Sequence, residues 1–338
     1  MRKKASGRLI IPALGVLLIA LLLASFCFGR YPVPPEQLLP MFMKALGFPV
    51  DQTWTAAMES AVLRIRLPRL LLACMVGCCL STAGAAYQGV FQNPMASPDL
   101  LGASSGAAFG AALAILLGFD SGMITVMAFA FSMITVIGVN VVAARAPGKK
   151  VVNLILAGVM ISSLFSAGTS YIKLVADPGD QLPAITYWMM GSLSGARLSD
   201  VGFAVIPMLI GALPLVLLRW KINVLTLGDE EASTMGVNTG RLRLIVIVCA
   251  TFLTAASVAV SGMIGWVGLV IPHLSRKLVG NDCRQLLPTS MLMGASFMLL
   301  VDNISRNAMA TEIPIGILTA FIGAPFFIYL MTRKERAL

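Results

Sequence analysis

Charge is what this sequence has least of. Asp, Glu, Lys and Arg make up only 12% of its 338 residues, where a soluble domain carries about 25%. Such a chain cannot cover a water-soluble globule, and a hydrophobic share of 58% with a mean hydropathy of +0.88 points the same way. Histidine is nearly absent: His273 alone excludes a His-x-x-x-His metal site and leaves little for an intramembrane metalloenzyme. There is no Gly-x-x-x-x-Gly-Lys-Ser/Thr loop, and Gly148-Lys149-Lys150 is only a basic turn, so a P-loop for ATP is excluded. No Cys-x-x-Cys pair occurs among the six cysteines. Cys27, Cys74, Cys78, Cys79 and Cys249 lie in apolar runs, where cysteine acts as a small hydrophobe, and only Cys283 falls in a polar loop. No metal and no cofactor is expected.

What the sequence has instead is long uncharged stretches, at 9–28, 70–90, 123–144 and 206–218. Several reach the roughly 20 residues that a helix needs to cross about 30 Å of hydrocarbon. Backbone groups in lipid must be satisfied within their own segment, and runs without period-2 alternation choose helices over a barrel. The expected fold is all-α, a polytopic transmembrane bundle of about ten helices over a single domain, 1–338. The spans fall near 9–29, 67–91, 98–117, 122–144, 152–174, 201–219, 242–262, 264–279, 287–303 and 314–332. Arg2, Lys3 and Lys4 ahead of the first run resemble a signal peptide. The run is as long as a full span, however, no Ala-x-Ala site follows, and Phe26 fits poorly before a lipoprotein Cys27, so an uncleaved first helix is expected. With the N-terminus inside, seventeen of the 25 Lys and Arg fall on or beside inner segments. The positive-inside rule thus favours this orientation and an even number of spans.

Two spans have unusual beginnings. The third follows Asn93-Pro94-Met95-Ala96-Ser97-Pro98, and the eighth starts within Gly262-Met263-Ile264-Gly265-Trp266-Val267-Gly268 and contains Pro272. Gly/Pro-broken backbone at that depth is tolerated only where protein or a watery cavity covers it. Gly102, Gly106 and Gly110 recur at helix-packing spacing, which by itself indicates close packing.

The polar exceptions bear on function. No Asp or Glu falls clearly at the centre of a span, whereas ion-coupled transporters commonly keep such groups at a cost of about 2.5–3.5 kcal/mol. The longest inner interruption, 220–241, holds Gly228-Asp229-Glu230-Glu231-Ala232-Ser233-Thr234-Met235-Gly236. Its three acids suit the first turn of a short helix and Gly236 the left-handed position that ends one, with Leu225, Ala232 and Met235 as an apolar face. So short a helix is marginal alone and implies docking on something, the alternative being an ordinary loop. On the outer side, Arg64, Arg66 and Arg69 surround Pro68 at a helix start, against both the helix dipole and the positive-inside trend. Such a cluster suits an acidic partner; the alternative is arginines snorkelling to the headgroups.

In order and spacing these stretches resemble the FecCD family, permease subunits of ABC importers for iron–siderophores, haem and cobalamin. The resemblance runs from about residue 60 to the end. It rests on Arg66-Leu67-Pro68-Arg69, on Gln88 and the run Gln92 to Gly102, on Tyr187-Trp188-Met189-Met190-Gly191 and on Gly228 to Gly236. Gly265 to His273, Glu312-Ile313-Pro314-Ile315-Gly316 and Gly323-Ala324-Pro325 complete it. It implies a type II ABC importer permease fold, a second permease subunit, two cytoplasmic ATPases and an extracytoplasmic binding protein, in a bacterial or archaeal cytoplasmic membrane with both termini inside. Carried over by position, Arg66, Arg69 and Arg306 would receive acids of the binding protein. Gly228, Asp229, Glu230, Glu231, Ala232 and Gly236 would form the ATPase coupling helix. Asn93 and Met95 would narrow the path at the cytoplasmic gate, with Val151 and Val152 as a second layer. The implied role is uptake of an iron–siderophore or similar iron chelate, with haem, cobalamin or an oxyanion as alternatives, and without an ATPase site on this chain. The rivals from other classes are a secondary transporter, which would work with no ATPase, and an intramembrane enzyme, which lacks a catalytic set.

Overall fold

The structure is a computed structural model that describes residues 7–29, 31–148 and 150–332. The basic residues expected on the inner side at 2–4 and in the tail from 333 lie outside these. The described residues form helices without strands. In chain order they are α1 (Gly7–Cys27), α2 (Pro35–Ala45) and α3 (Ala56–Glu59), which runs through a π-helical stretch (Ser60–Arg66) into α4 (Leu67–Val90). A 3-10 turn (Pro98–Leu101) leads into α5 (Ala103–Leu116), followed by α6 (Ser121–Arg145), α7 (Lys150–Val175), α8 (Gln181–Met189) and α9 (Leu198–Leu217). The remaining helices are α10 (Arg219–Leu225), α11 (Asp229–Thr234), α12 (Thr239–Ser261), α13 (Val267–Val279), α14 (Cys283–Asn307) and α15 (Ile315–Thr332). Side-chain caps mark several starts: Asp120 accepts from Gly122 N, Asn238 from Arg241 N and Asp282 from Arg284 N.

Each of the ten expected spans coincides with a helix, and seven helices among the described residues are long and apolar enough to cross a membrane. α5, α13 and α15 are shorter. At 1.5 Å per residue the 13 residues of α13 cover only about 20 Å, less than the roughly 30 Å of a hydrocarbon core. The two Gly/Pro-broken segments meet one another: a Cβ on Gly268 would stand 2.6 Å from Pro98 Cγ. Protein covers the backbone at that contact, where Pro98 and Gly268 are buried, while Asn93, Pro94 and Met95 stay exposed.

α4, α12 and α14 form the interior, while α1, α6, α7 and α9 present most of their surface outward. Close approach depends on missing side chains. A Cβ on Gly77 would lie 2.2 Å from Gly294 O, and one on Gly294 equally close to Gly77 O. A Cβ on Gly84 would lie 1.8 Å from Gly268 O. Between the glycines Ser81 Oγ donates to Ser290 O at 2.7 Å, a cross-helix bond of the kind that small polar residues make in membranes. Gly106 and Gly110 sit in the same way against Phe131 O and Met127 O of α6. Because these contacts are with backbone, they cannot yield as a flexible side chain would. Gly84→Val should therefore cost at least the roughly 1–3 kcal/mol usual for overpacking and lower the melting temperature of the detergent-purified protein. Gly15→Ala, with nothing within 4 Å of the new methyl, should leave it unchanged; equal melting of the two variants would contradict this packing.

Candidate functional site

The polar side chains gather at the two ends of α4. At its start, Arg66, Arg69 and Arg306 are only 5%, 5% and 7% exposed, so they turn inward rather than snorkel outward. Arg66 donates to the carbonyls of Phe26 and Tyr31. Arg69 Nε donates to Asp302 Oδ1 at 2.8 Å, and its Nη1 spans both oxygens of Glu312 at 3.0 and 2.8 Å. Arg306 comes from the last turn of α14, one turn past Asp302, with Nε 3.0 Å from Asp302 Oδ2. That contact is an ion pair out of line for a hydrogen bond, and both atoms lack a hydrogen-bond partner. Arg306 Nη2 instead donates to Asn303 Oδ1 at 2.6 Å. Arg64, beside them in sequence, is exposed.

Three guanidiniums face two carboxylates here, leaving one positive charge in excess. Arg69 Nη2 is buried without an acceptor, and the cluster borders a cavity of about 190 Å³ with Tyr31 and Ile65. This arrangement can accept one further carboxylate, because a buried cation with an idle donor gains most from a charged acceptor. Asp302 and Glu312 stand in the sequence without visible partners. The available signal was the Asp302–Arg306 spacing of one turn, together with the rule that a carboxylate within a span is paired.

At the other end of α4 the chain builds a clamp. α10 buries Ile222, Val224 and Leu225, and Gln92, at a positive φ of 50°, donates from Nε2 to Leu225 O at 2.8 Å. Asn223 Oδ1 accepts from Cys283 N at 3.2 Å, tying α10 to α14. α11 follows with Asp229, Glu230 and Glu231 in its first turn. Gly236 closes it at φ +77°, with Gly236 N on Ser233 O and Val237 N on Ala232 O. Arg243 of α12 holds Asp229 at 2.8 Å. One expectation fails: Met235 is 51% exposed and is not part of the inward apolar face. Val237, one position beyond the glycine turn, is buried there with Leu225 and Ala232. Glu230 and Glu231 point outward, flanked by exposed Leu227 and Met235.

Asn93 and Met95 lie at this same end, in the exposed turn after α4, where Asn93 Oδ1 accepts from Met95 N at 2.9 Å. Val151 and Val152 occupy the first turn of α7; Val151 is half-buried and Val152 exposed. The single chain thus brings the three arginines together and the expected coupling residues together, and of the four expected gate positions it leaves Asn93, Met95 and Val152 exposed and Val151 half-buried against the core. His273 packs edge-on against Phe326, their ring centroids 6.4 Å apart, and the described residues contain no cluster able to hold a metal ion.

A multi-span helical bundle with a buried arginine cluster at one end and an exposed acidic helix at the other is the outline of a transport permease. Comparison makes the class specific: residues 17–333 match the model of the FecCD transport family. The chain belongs to that family and is an ABC importer permease. The match begins within α1, earlier than the motifs alone reached. The chain is 39% identical to the molybdate import system permease protein MolB of Haemophilus influenzae, over 96% of this chain and 95% of that one. It is 38% identical to the Fe(3+)-citrate import system permease protein YfmE of Bacillus subtilis, over 99% and 98%. Among solved structures, it is similar to an inward-facing conformation of an ABC transporter assigned to the metal-chelate type, with a TM-score of 0.85, 38% identity and 95% and 98% of the two chains covered.

Asp302 is 0% exposed between two arginines. Asp302→Asn should destabilise the protein by roughly the 3–5 kcal/mol that a stranded buried charge costs. Arg64→Gln, at an exposed position, should stay within about 0.5 kcal/mol. Thermal unfolding of both variants in the same detergent would check this, and a silent Asp302→Asn would mean that the cluster carries no stabilising ion pair.

Proposed function

We propose that the chain is the membrane-spanning subunit of an importer for an iron–siderophore or similar iron chelate, driven by ATP hydrolysed on a separate subunit. One observation carries the reading: the acids of α11 are exposed, yet the helix is fixed to the spans through Asp229–Arg243 and through α10. A partner that pushes on α11 would therefore move α12 and α14 rather than a slack loop. The segment 220–241 serves as the coupling piece within one permease domain, 1–338. Two cytoplasmic ATPase subunits would bind there, and two copies of this chain would enclose the path. Asn93, Met95 and Val152, exposed in one chain, would then meet across that dimer, with half-buried Val151 beside them. The basic excess at this end favours cytoplasmic placement of both termini.

The opposite cluster would receive an acidic residue of an extracytoplasmic binding protein, one per chain by charge balance. Neither charge reversal at Arg69 nor loss of Asp302 is a clean probe, since both would disrupt the internal pairs. Arg66 is cleaner, because its partners are carbonyls. Arg66→Met should weaken association with the binding protein at least tenfold, measured by surface plasmon resonance on nanodisc-reconstituted transporter, while melting falls less than for Asp302→Asn because only carbonyls lose their donor. Full affinity would remove Arg66 from the docking surface.

Cargo is the less constrained part. The relative named for Fe(3+)-citrate and the one named for molybdate are 38% and 39% identical to this chain, so the oxyanion remains the second reading, with haem and cobalamin beside it. Proteoliposomes holding the permease, its ATPase and its binding protein should accumulate a ferric chelate and not molybdate. The reverse result would reassign the cargo while leaving the machinery intact. In the same vesicles Glu231→Lys should abolish uptake while ATP hydrolysis persists, and normal uptake would reject α11 as the coupling helix.

A further inference from the structure

Between the end of α6, the start of α7 and the start of α12 lies a cavity of about 410 Å³. Its walls are mostly apolar, with Ala143, Leu154, Leu244 and Ile247, and two cations, Lys150 and Arg243, also line it. No carboxylate does. The Arg243 side chain is 7% exposed; one edge holds Asp229, while Nε is buried without a hydrogen-bond partner. A buried donor left idle is a standing desolvation cost that an arriving acceptor would relieve. Lys150 Nζ comes within 3.8 Å of the place a Cβ on Gly240 would take, so the ammonium leans across the first turn of α12, beside the cavity.

The cavity also adjoins apolar surface. Leu244 is 50% exposed although most of α12 is buried, and Val141 and Ile137 are exposed on α6 nearby. It therefore sits where apolar helix surface gives way to the polar residues Arg145, Lys150 and Arg241, the level of a membrane–water boundary. A soluble anion would use the two cations and leave the apolar walls bare. A phospholipid presents both an anion and an acyl chain, and basic pockets between membrane helices are a known way of holding anionic headgroups. We propose that this cavity binds one anionic phospholipid, its phosphate between Arg243 and Lys150 and an acyl chain along Leu154, Leu244 and Ile247. Because Asp229 occupies the other edge of Arg243, the bound lipid would brace the guanidinium that anchors α11 without displacing its partner.

The test is native mass spectrometry of the detergent-purified full-length chain, titrated with phosphatidylglycerol, phosphatidylcholine or inorganic phosphate. One phosphatidylglycerol per chain should be retained at least fivefold over phosphatidylcholine. Lys150→Gln should lower that retention at least threefold, and Leu154→Trp, which fills the cavity, should remove it, with melting of both variants near that of the parent. These positions are preferred to Arg243, whose loss would also release Asp229. Equal retention of the two lipids, or phosphatidylglycerol retained undiminished in both variants, would overturn the site. Displacement of the lipid by equimolar inorganic phosphate would overturn the lipid as its occupant in favour of a soluble anion. None of these readings depends on which cargo the transporter carries or on whether α11 couples to an ATPase.

Discussion

How closely other backbones can approach α4 governs the rest of the molecule. Gly77 against Gly294 and Gly84 against Gly268 let α14 and α13 touch α4 main chain to main chain. In lipid the hydrophobic effect gives no net drive for helix to meet helix, so van der Waals contact and interhelical hydrogen bonds must supply it. Residues without side chains maximise the first, and Ser81 on Ser290 O supplies the second. With α4 gripped along its length, its two ends become fixed points about 36 Å apart for its 24 residues. The arginine cluster is built on one and the α10–α11 clamp on the other, where Gln92 donates to Leu225 O of α10 and Arg276 of α13 donates to Gln88. A load applied at one end would thus reach the other through a packed rod.

The two ends solve the problem of charge near a membrane in opposite ways. At the arginine end the carboxylates are drawn inward and the surplus is positive; at the other the cation is drawn inward and the acids stay outside. Each end therefore keeps an internal anchor, and the exposed acids of α11 form a local negative patch on an end whose sequence is otherwise rich in Lys and Arg. Complementary charge steers encounter and orientation more than it adds affinity.

Much of this was legible in the sequence, and the omissions share a cause. The spans were visible because lipid imposes one requirement, apolar length, that acts locally along the chain. The short acidic helix was visible because its dipole and its closing Gly236 are also local rules. α2, α8 and α10 were missed, since each owes its helicity to neighbours rather than to a long run: α10 buries three residues against α4 and α14 and is polar elsewhere. The partners of Arg69 were hidden because Asp302 and Glu312 lie 233 and 243 residues away. Met235 was assigned to the apolar face by extending helical spacing one residue too far. α11 ends at Thr234 and the turn at Gly236 redirects the chain, so Val237 takes that place. Local chemistry could be read; contacts made by packing could not.

Cargo selection belongs with what packing leaves open. If Val152 stands at the gate, helical spacing carries the same outward face of α7 through Leu156, Val159, Ser163, Ser166, Ser170 and Leu174, all of them exposed. That stripe holds no charge and only small hydroxyls among aliphatic groups. It offers a molybdate-like dianion no cation, and hydroxyls of which Ser163 and Ser170 already donate to backbone carbonyls, and it offers a bulky chelate a smooth wall without a defined seat. On the proposed reading such a path would let a cargo pass without choosing it, and discrimination would fall to the binding protein before entry. Relatives can then share a frame at nearly equal identity while differing in cargo. The residues that build the frame are glycine contacts and buried ion pairs, and those would be insensitive to what passes between the chains.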